Sequence, residues 1–138
     1  MICVRTEVSV HTQGKKIRQQ RQGLALAYQQ SAALMAAVES GLFTAVAKGA
    51  DRLDSIAAKL AITPVNAERL VTACVAMGLL ERDGERFVNA PDVARFLVEG
   101  EPSYAGPWML FTKPRWGEWG RLGEHLRRTG KPHVRGMA

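Results

Sequence analysis

The chain has 138 residues, 46% of them apolar and 23% charged, a balance that excludes both a disordered and a fibrous protein. That length accommodates one domain with a core of its own and short extensions, and does not accommodate two of ordinary size. The formal net charge of +6 points to a polyanionic partner only until it is divided: residues 1–30 carry five Lys/Arg against one acid, residues 31–110 seven against ten, and residues 111–138 seven against two. The basic excess therefore sits in the two ends, and the middle is mildly acidic. Cys3 and Cys74 lie too far apart for a metal or redox spacing and read as reduced thiols of a cytoplasmic protein. The longest apolar stretch, around Ala32 to Val38, is far below a membrane span, and the first ten residues hold no hydrophobic block. The chain is expected to be soluble, not exported and without a membrane partner.

Residues 15–30, from Lys15-Lys16-Ile17-Arg18 to Tyr28-Gln29-Gln30, have few β-branched residues and no proline, and predict a helix too polar to bury much by itself. From Ser31 the pattern turns apolar, with Leu34, Met35 and Val38 on one face, a break at Ser40-Gly41, and Leu42, Phe43 and Val46 leading a second short helix that Gly49 stops. Asp54 is expected to cap a helix from Ser55 to Leu60 with Ile56, Ala57 and Leu60 inward. Thr63 offers an acceptor to an orphan amide of the next helix, and Pro64 stands at the first helical position, where its missing N–H costs nothing. Leu70, Val71, Cys74 and Met77 then recur three and four apart, and Gly78 supplies the left-handed residue that ends a helix. A hairpin follows: Leu79-Leu80-Glu81-Arg82, the turn pair Asp83-Gly84 favouring a type I′ connection, and Glu85-Arg86-Phe87-Val88. Asn89-Ala90-Pro91-Asp92 starts a further helix through Val93, Phe96 and Leu97 to Gly100.

Glu101-Pro102 opens a different composition that holds all three tryptophans. Trp116, Trp119, Leu122 and Leu126 are three or four apart and predict a helix face, although Gly117, Gly120 and Gly123 cost it roughly 1 kcal/mol each relative to alanine. Residues 127–138 carry Gly130, Pro132 and Gly136 without a period and read as a basic tail. The predicted fold is mainly α: a winged-helix-like helical bundle with a small β-hairpin wing and a C-terminal linker helix. The predicted division is a polar N-terminal helical extension (1–30), a winged-helix domain (31–100), and an aromatic linker helix with a basic tail (101–138).

A winged helix usually reads DNA, with the helix at 63–77 as the element for the major groove. Its outward residues argue otherwise, since it offers only Arg69 beside Asn66 and Glu68, and the wing sets Arg82 and Arg86 against Glu81, Asp83 and Glu85. A DNA-binding transcription regulator is thus the alternative, and a protein-pairing role without nucleic acid is preferred. Lys15, Lys16, Arg18 and Arg21 read as a solvated helix face rather than a nucleic-acid arm. Tyr104, Trp108, Met109 and Phe111 are candidates for an aromatic substrate pocket, because flat rings and a pliable thioether suit a planar apolar molecule. Trp116 and Trp119 read instead as packing residues. His125 reads as a surface residue beside Glu124, and no nucleophile with a base, carboxylate pair or metal spacing appears, so no catalytic residue and no metal is expected.

The ordered set Ala36-Ala37-Val38-Glu39-Ser40-Gly41-Leu42-Phe43, Leu53-Asp54-Ser55-Ile56-Ala57-Ala58-Lys59-Leu60, Thr63-Pro64, Glu68-Arg69-Leu70-Val71, Met77-Gly78-Leu79-Leu80-Glu81 and Phe87-Val88-Asn89-Ala90-Pro91 resembles a known family. It is similar to the N-terminal dimerisation domain of class I S-adenosylmethionine-dependent small-molecule O-methyltransferases, over roughly Ser31 to Pro132. The resemblance implies a homodimer, with Leu34, Met35, Val38, Leu42 and Phe43 as interface candidates, and a small-molecule acceptor in the complete enzyme. It also implies that the N-terminal helix is exchanged onto the partner. S-adenosylmethionine would bind a further, Rossmann-like domain. This chain has no strand leading to a glycine-rich turn with an acidic residue beyond, so no cofactor is expected on it. The expectation is a non-catalytic dimerisation and acceptor-pocket module, truncated or separately encoded.

Overall fold

The computed structural model describes residues 3–127, with side chains described from Gly14 onward. Eight helices and one hairpin follow in order: α1 (Cys3–Glu39), α2 (Leu42–Ala47), α3 (Leu53–Leu60), α4 (Pro64–Ala76), β1 (Leu80–Asp83), β2 (Arg86–Asn89), α5 (Pro91–Phe96), α6 (Gly106–Phe111), α7 (Trp116–Gly120) and α8 (Leu122–Arg127), with a 3₁₀ turn at Lys113–Arg115 between α6 and α7. The architecture is mainly α with a small β wing, as the sequence predicts. None of the described helices is long and apolar enough to cross a membrane.

The core forms where α2 to α5 and the hairpin close over the C-terminal end of α1. Phe43, Leu42, Ile56, Leu80, Val71, Val93 and Cys74 are its largest enclosed side chains, and Ala37 and Val38 enter it from α1. Such side chains are worth roughly 1.5–3 kcal/mol each when fully buried, so this cluster is the main source of stability. Gly41, with φ +73, turns the chain from α1 into α2, and Gly78, with φ +70, ends α4. Thr63 Oγ1 accepts from the Asn66 N–H at 3.3 Å, with Pro64 in the first turn.

Three local expectations need correction. α3 begins at Leu53, ahead of the expected cap: Ser55 Oγ accepts from the Arg52 N–H at 3.1 Å, while Asp54 stands inside the first turn. The strands pair Leu80 with Asn89 and Asp83 with Arg86, so the two-residue turn is Gly84-Glu85 and not Asp83-Gly84. Only Gly84 there has positive φ, at +62, the sign pattern of a type II′ turn. The tryptophan helix is broken at Arg121 into α7 and α8, as three glycines in eight residues would favour. α1 runs through residue 30, and its side chains from 14 to 31 are exposed apart from Ala27, with contacts to the core beyond them.

Candidate functional site

The pocket candidates are held by α6. Its start is pinned by the Ala105 N–H, which donates to Phe96 O at 2.8 Å, and its inner side lays Met109 and Leu110 on the core. Tyr104 is half-buried and folds over Gly106, where a Cβ would collide with the phenol ring. Trp108 and Phe111 point the other way, 71% and 60% exposed. The four candidates therefore divide into two inward groups, Tyr104 and Met109, and an outward aromatic ledge of Trp108 and Phe111. Arg115 lies over the Phe111 ring at 5.7 Å, and Lys113 forms an ion pair with Glu39 at the end of α1. The ledge is thereby fixed to the long helix.

Beyond it, Trp119, Leu122 and Leu126 are exposed and Trp116 is half-buried. His125 is nearer to Glu118, with Nε2 at 3.0 Å from Oε2, than the sequence suggests, since Glu124 pairs with Arg121 at 3.1 Å.

The interface candidates also divide. Val38, Leu42 and Phe43 are buried by their own chain and leave almost no surface for another, while Leu34 and Met35 are half-buried. Apolar surface that is open lies further along α1, on Ile17, Leu24, Leu26 and Tyr28. Sequence reading passed over these four because the segment is polar as a whole; the spacing of Ile17, Leu24 and Tyr28 was the available signal.

α3 and α4 stand as a helix-turn-helix pair with the hairpin beside them, and the arginines there hydrogen-bond within the chain. Arg86 Nη1 is 2.8 Å from Asp51 Oδ2, Arg52 Nη1 is 2.7 Å from Glu85 Oε2, and Arg82 Nε donates to Gly84 O at 2.9 Å. On α4, Arg69 Nη1 donates to Asn66 Oδ1 at 3.4 Å. The two ion pairs tie the wing to the loop before α3.

Reactive chemistry is sparse among the described residues. Cys74 is enclosed, and burial pushes its thiol up to about 11, away from nucleophilic use. No group of three His, Cys, Asp or Glu that could hold a metal ion occurs among the described residues. β2 runs into Ala90-Pro91 with no glycine between them, and Gly84 closes the hairpin.

Fold and surface together define a winged-helix module with exposed apolar side chains on α1 and an aromatic ledge on α6. A family model described as the O-methyltransferase dimerisation domain matches residues 22–100, and the chain belongs to that family. It is 41% identical over 87 residues to 3-hydroxy-5-methyl-1-naphthoate 3-O-methyltransferase of Streptomyces sahachiroi, covering 60% of this chain and 25% of that protein. It is 40% identical over 87 residues to N,N-dimethyltransferase OxyT of Streptomyces rimosus, covering 63% of this chain and 25% of that one. Among solved structures, an O-methyltransferase family protein from Burkholderia thailandensis superposes with a TM-score of 0.70 at 33% identity, over 79% of this chain and 32% of the other. The chain spans about a quarter to a third of the length of these relatives.

Proposed function

We propose that this chain is the pairing and acceptor-wall module of an S-adenosylmethionine-dependent methyltransferase of the cytoplasm, contributing no catalytic group of its own. The observation that carries the reading is the family match across residues 22–100. Two relatives named for O-methyl and N,N-dimethyl transfer match it with near-equal identity over equal lengths. That similarity supports a role in assembly and not in choosing the atom methylated. In this reading the chain forms a homodimer. The ledge of Trp108 and Phe111, backed by Tyr104 and Met109, forms one wall for a flat acceptor, which the naphthoate in one relative's name supports. Nucleic acid is not a partner, because the arginines around the wing are paired within the chain.

Titration calorimetry with S-adenosylmethionine is expected to give no binding heat, and light scattering to give a dimer. Binding of the cofactor at micromolar concentration overturns the non-catalytic reading. A salt-dependent shift of duplex DNA restores the transcription-regulator alternative.

A further inference from the structure

The aromatic ledge on α6 continues into a cation. Trp108, Phe111 and Arg115 stand three and four apart across the end of α6 and the 3₁₀ turn, and all three are exposed. The Arg115 guanidinium lies over the Phe111 ring at 5.7 Å, so its position is set by the ledge rather than left to solvent. Its charge is not answered within the chain. Lys113 beside it pairs with Glu39, Arg121 with Glu124, and His125 stands against Glu118, whereas no carboxylate among the described residues reaches Arg115. Nor does an Asp or Glu occur in the sequence from residue 102 to residue 117. The ledge is thus an apolar surface with one oriented and uncompensated positive charge beside it.

That combination selects a class of molecule. Two exposed rings favour a flat aromatic body, which covers them and removes apolar surface from water. A guanidinium carries its N–H donors in a planar fork that fits a carboxylate with two parallel hydrogen bonds, and contact with a ring engages its face and not those donors. A flat body seated on the ledge also displaces water, which strengthens the attraction between the cation and an anionic substituent. A neutral flat molecule gains the ring contact alone. We propose that the ledge takes planar aromatic acceptors that bear an ionised carboxylate, and that Arg115 is the specificity-determining residue that receives this group. The inference rests on the acceptor-wall reading above and adds the chemical class of the acceptor and the side chain that reads it.

2-Naphthoate and 2-naphthamide share a ring system and a shape and differ in charge, and the pair tests the proposal on the full chain labelled with nitrogen-15. Binding is followed by nuclear magnetic resonance at the indole N–H of Trp108, assigned through Trp108→Phe. Near neutral pH the carboxylate is expected to bind at least about fivefold more tightly than the amide. Arg115→Gln is expected to bring the carboxylate to the level of the amide and to leave the amide where it was. Equal affinity of the two ligands for the unsubstituted chain overturns the proposal and leaves the acceptor wall standing, as does a preference for the carboxylate that survives in Arg115→Gln. A fall in the affinity of both ligands together in that variant assigns Arg115 to holding the ledge in shape and overturns its reading of charge. A Trp108 resonance that moves with neither ligand overturns the wall and the proposal with it.

Discussion

Cys74 sits on the inner face of α4 with no exposed surface, and desolvation alone raises its thiol from 9.0 to about 11. The folded chain therefore keeps a proton that the unfolded chain releases across that range. The stability this group contributes is complete below pH 9 and is lost as pH rises toward 11. Chemical unfolding followed with pH is expected to show that decline, and Cys74→Ala to flatten it while losing about 1–2 kcal/mol at neutral pH. Iodoacetamide is expected to leave Cys74 of the native protein unmodified and to label it in denaturant. At this scale the sequence was readable wherever one side chain decides a local geometry. Thr63 caps, Pro64 starts a helix, and Gly41, Gly49 and Gly78 take positive φ where the pattern breaks. Ala61 gave no such signal. It holds φ +54 because the Ile62 N–H donates to Ala57 O at 3.1 Å and the Ile62 side chain packs on the core, a tertiary demand that outweighs a strain of roughly 1–2 kcal/mol.

Among elements, the wing is the instructive case. Its β2 strand is fastened at both ends: the Phe87 N–H donates to Asp51 O at 2.8 Å, and Asn89 Nδ2 donates to Phe43 O at 2.8 Å. Asn89 thus joins β2 to α2 across a half-buried contact, and Asn89→Ala is expected to cost about 1–2 kcal/mol, read from the midpoint of urea unfolding at unchanged slope. The ion pairs Arg86–Asp51 and Arg52–Glu85 are open to solvent except at the half-buried Asp51 and are each worth about 1 kcal/mol or less, so their gain is in placing the hairpin. The Asp83-Gly84 dipeptide pointed to a hairpin correctly and to its register wrongly. What settles the register is that Leu80 and Phe87 must both face inward, and a slip by one residue would turn them to solvent. That constraint comes from the core and the Asp51 loop, neither of which is legible in the turn itself. The tryptophan segment is the converse: its period was legible, and its glycines were the reason a single helix did not form.

For the whole molecule, the homodimer proposed above makes stability a matter of concentration. A chain that pairs is expected to melt higher as it is concentrated, and a version lacking residues 1–30 to melt at one temperature throughout with its core intact. Concentration-independent melting of the full chain contradicts this. The candidate sites were legible only in part, for a physical reason: apolar residues such as Leu42 and Phe43 look alike in sequence whether they fill a core or a seam, and only packing separates the two. A last consequence follows from the ion pair between Lys113 and Glu39. α1 is a rod of 37 residues, hence about 55 Å long, whose Glu39 end borders both the Gly41 pivot and the tethered Trp108–Phe111 ledge. A tilt of about 10° sweeps its far tip through ~10 Å while the tethered end scarcely shifts. The molecule is thus a long arm with its root beside the Trp108–Phe111 ledge, where a small adjustment of the packed end is magnified at the far tip.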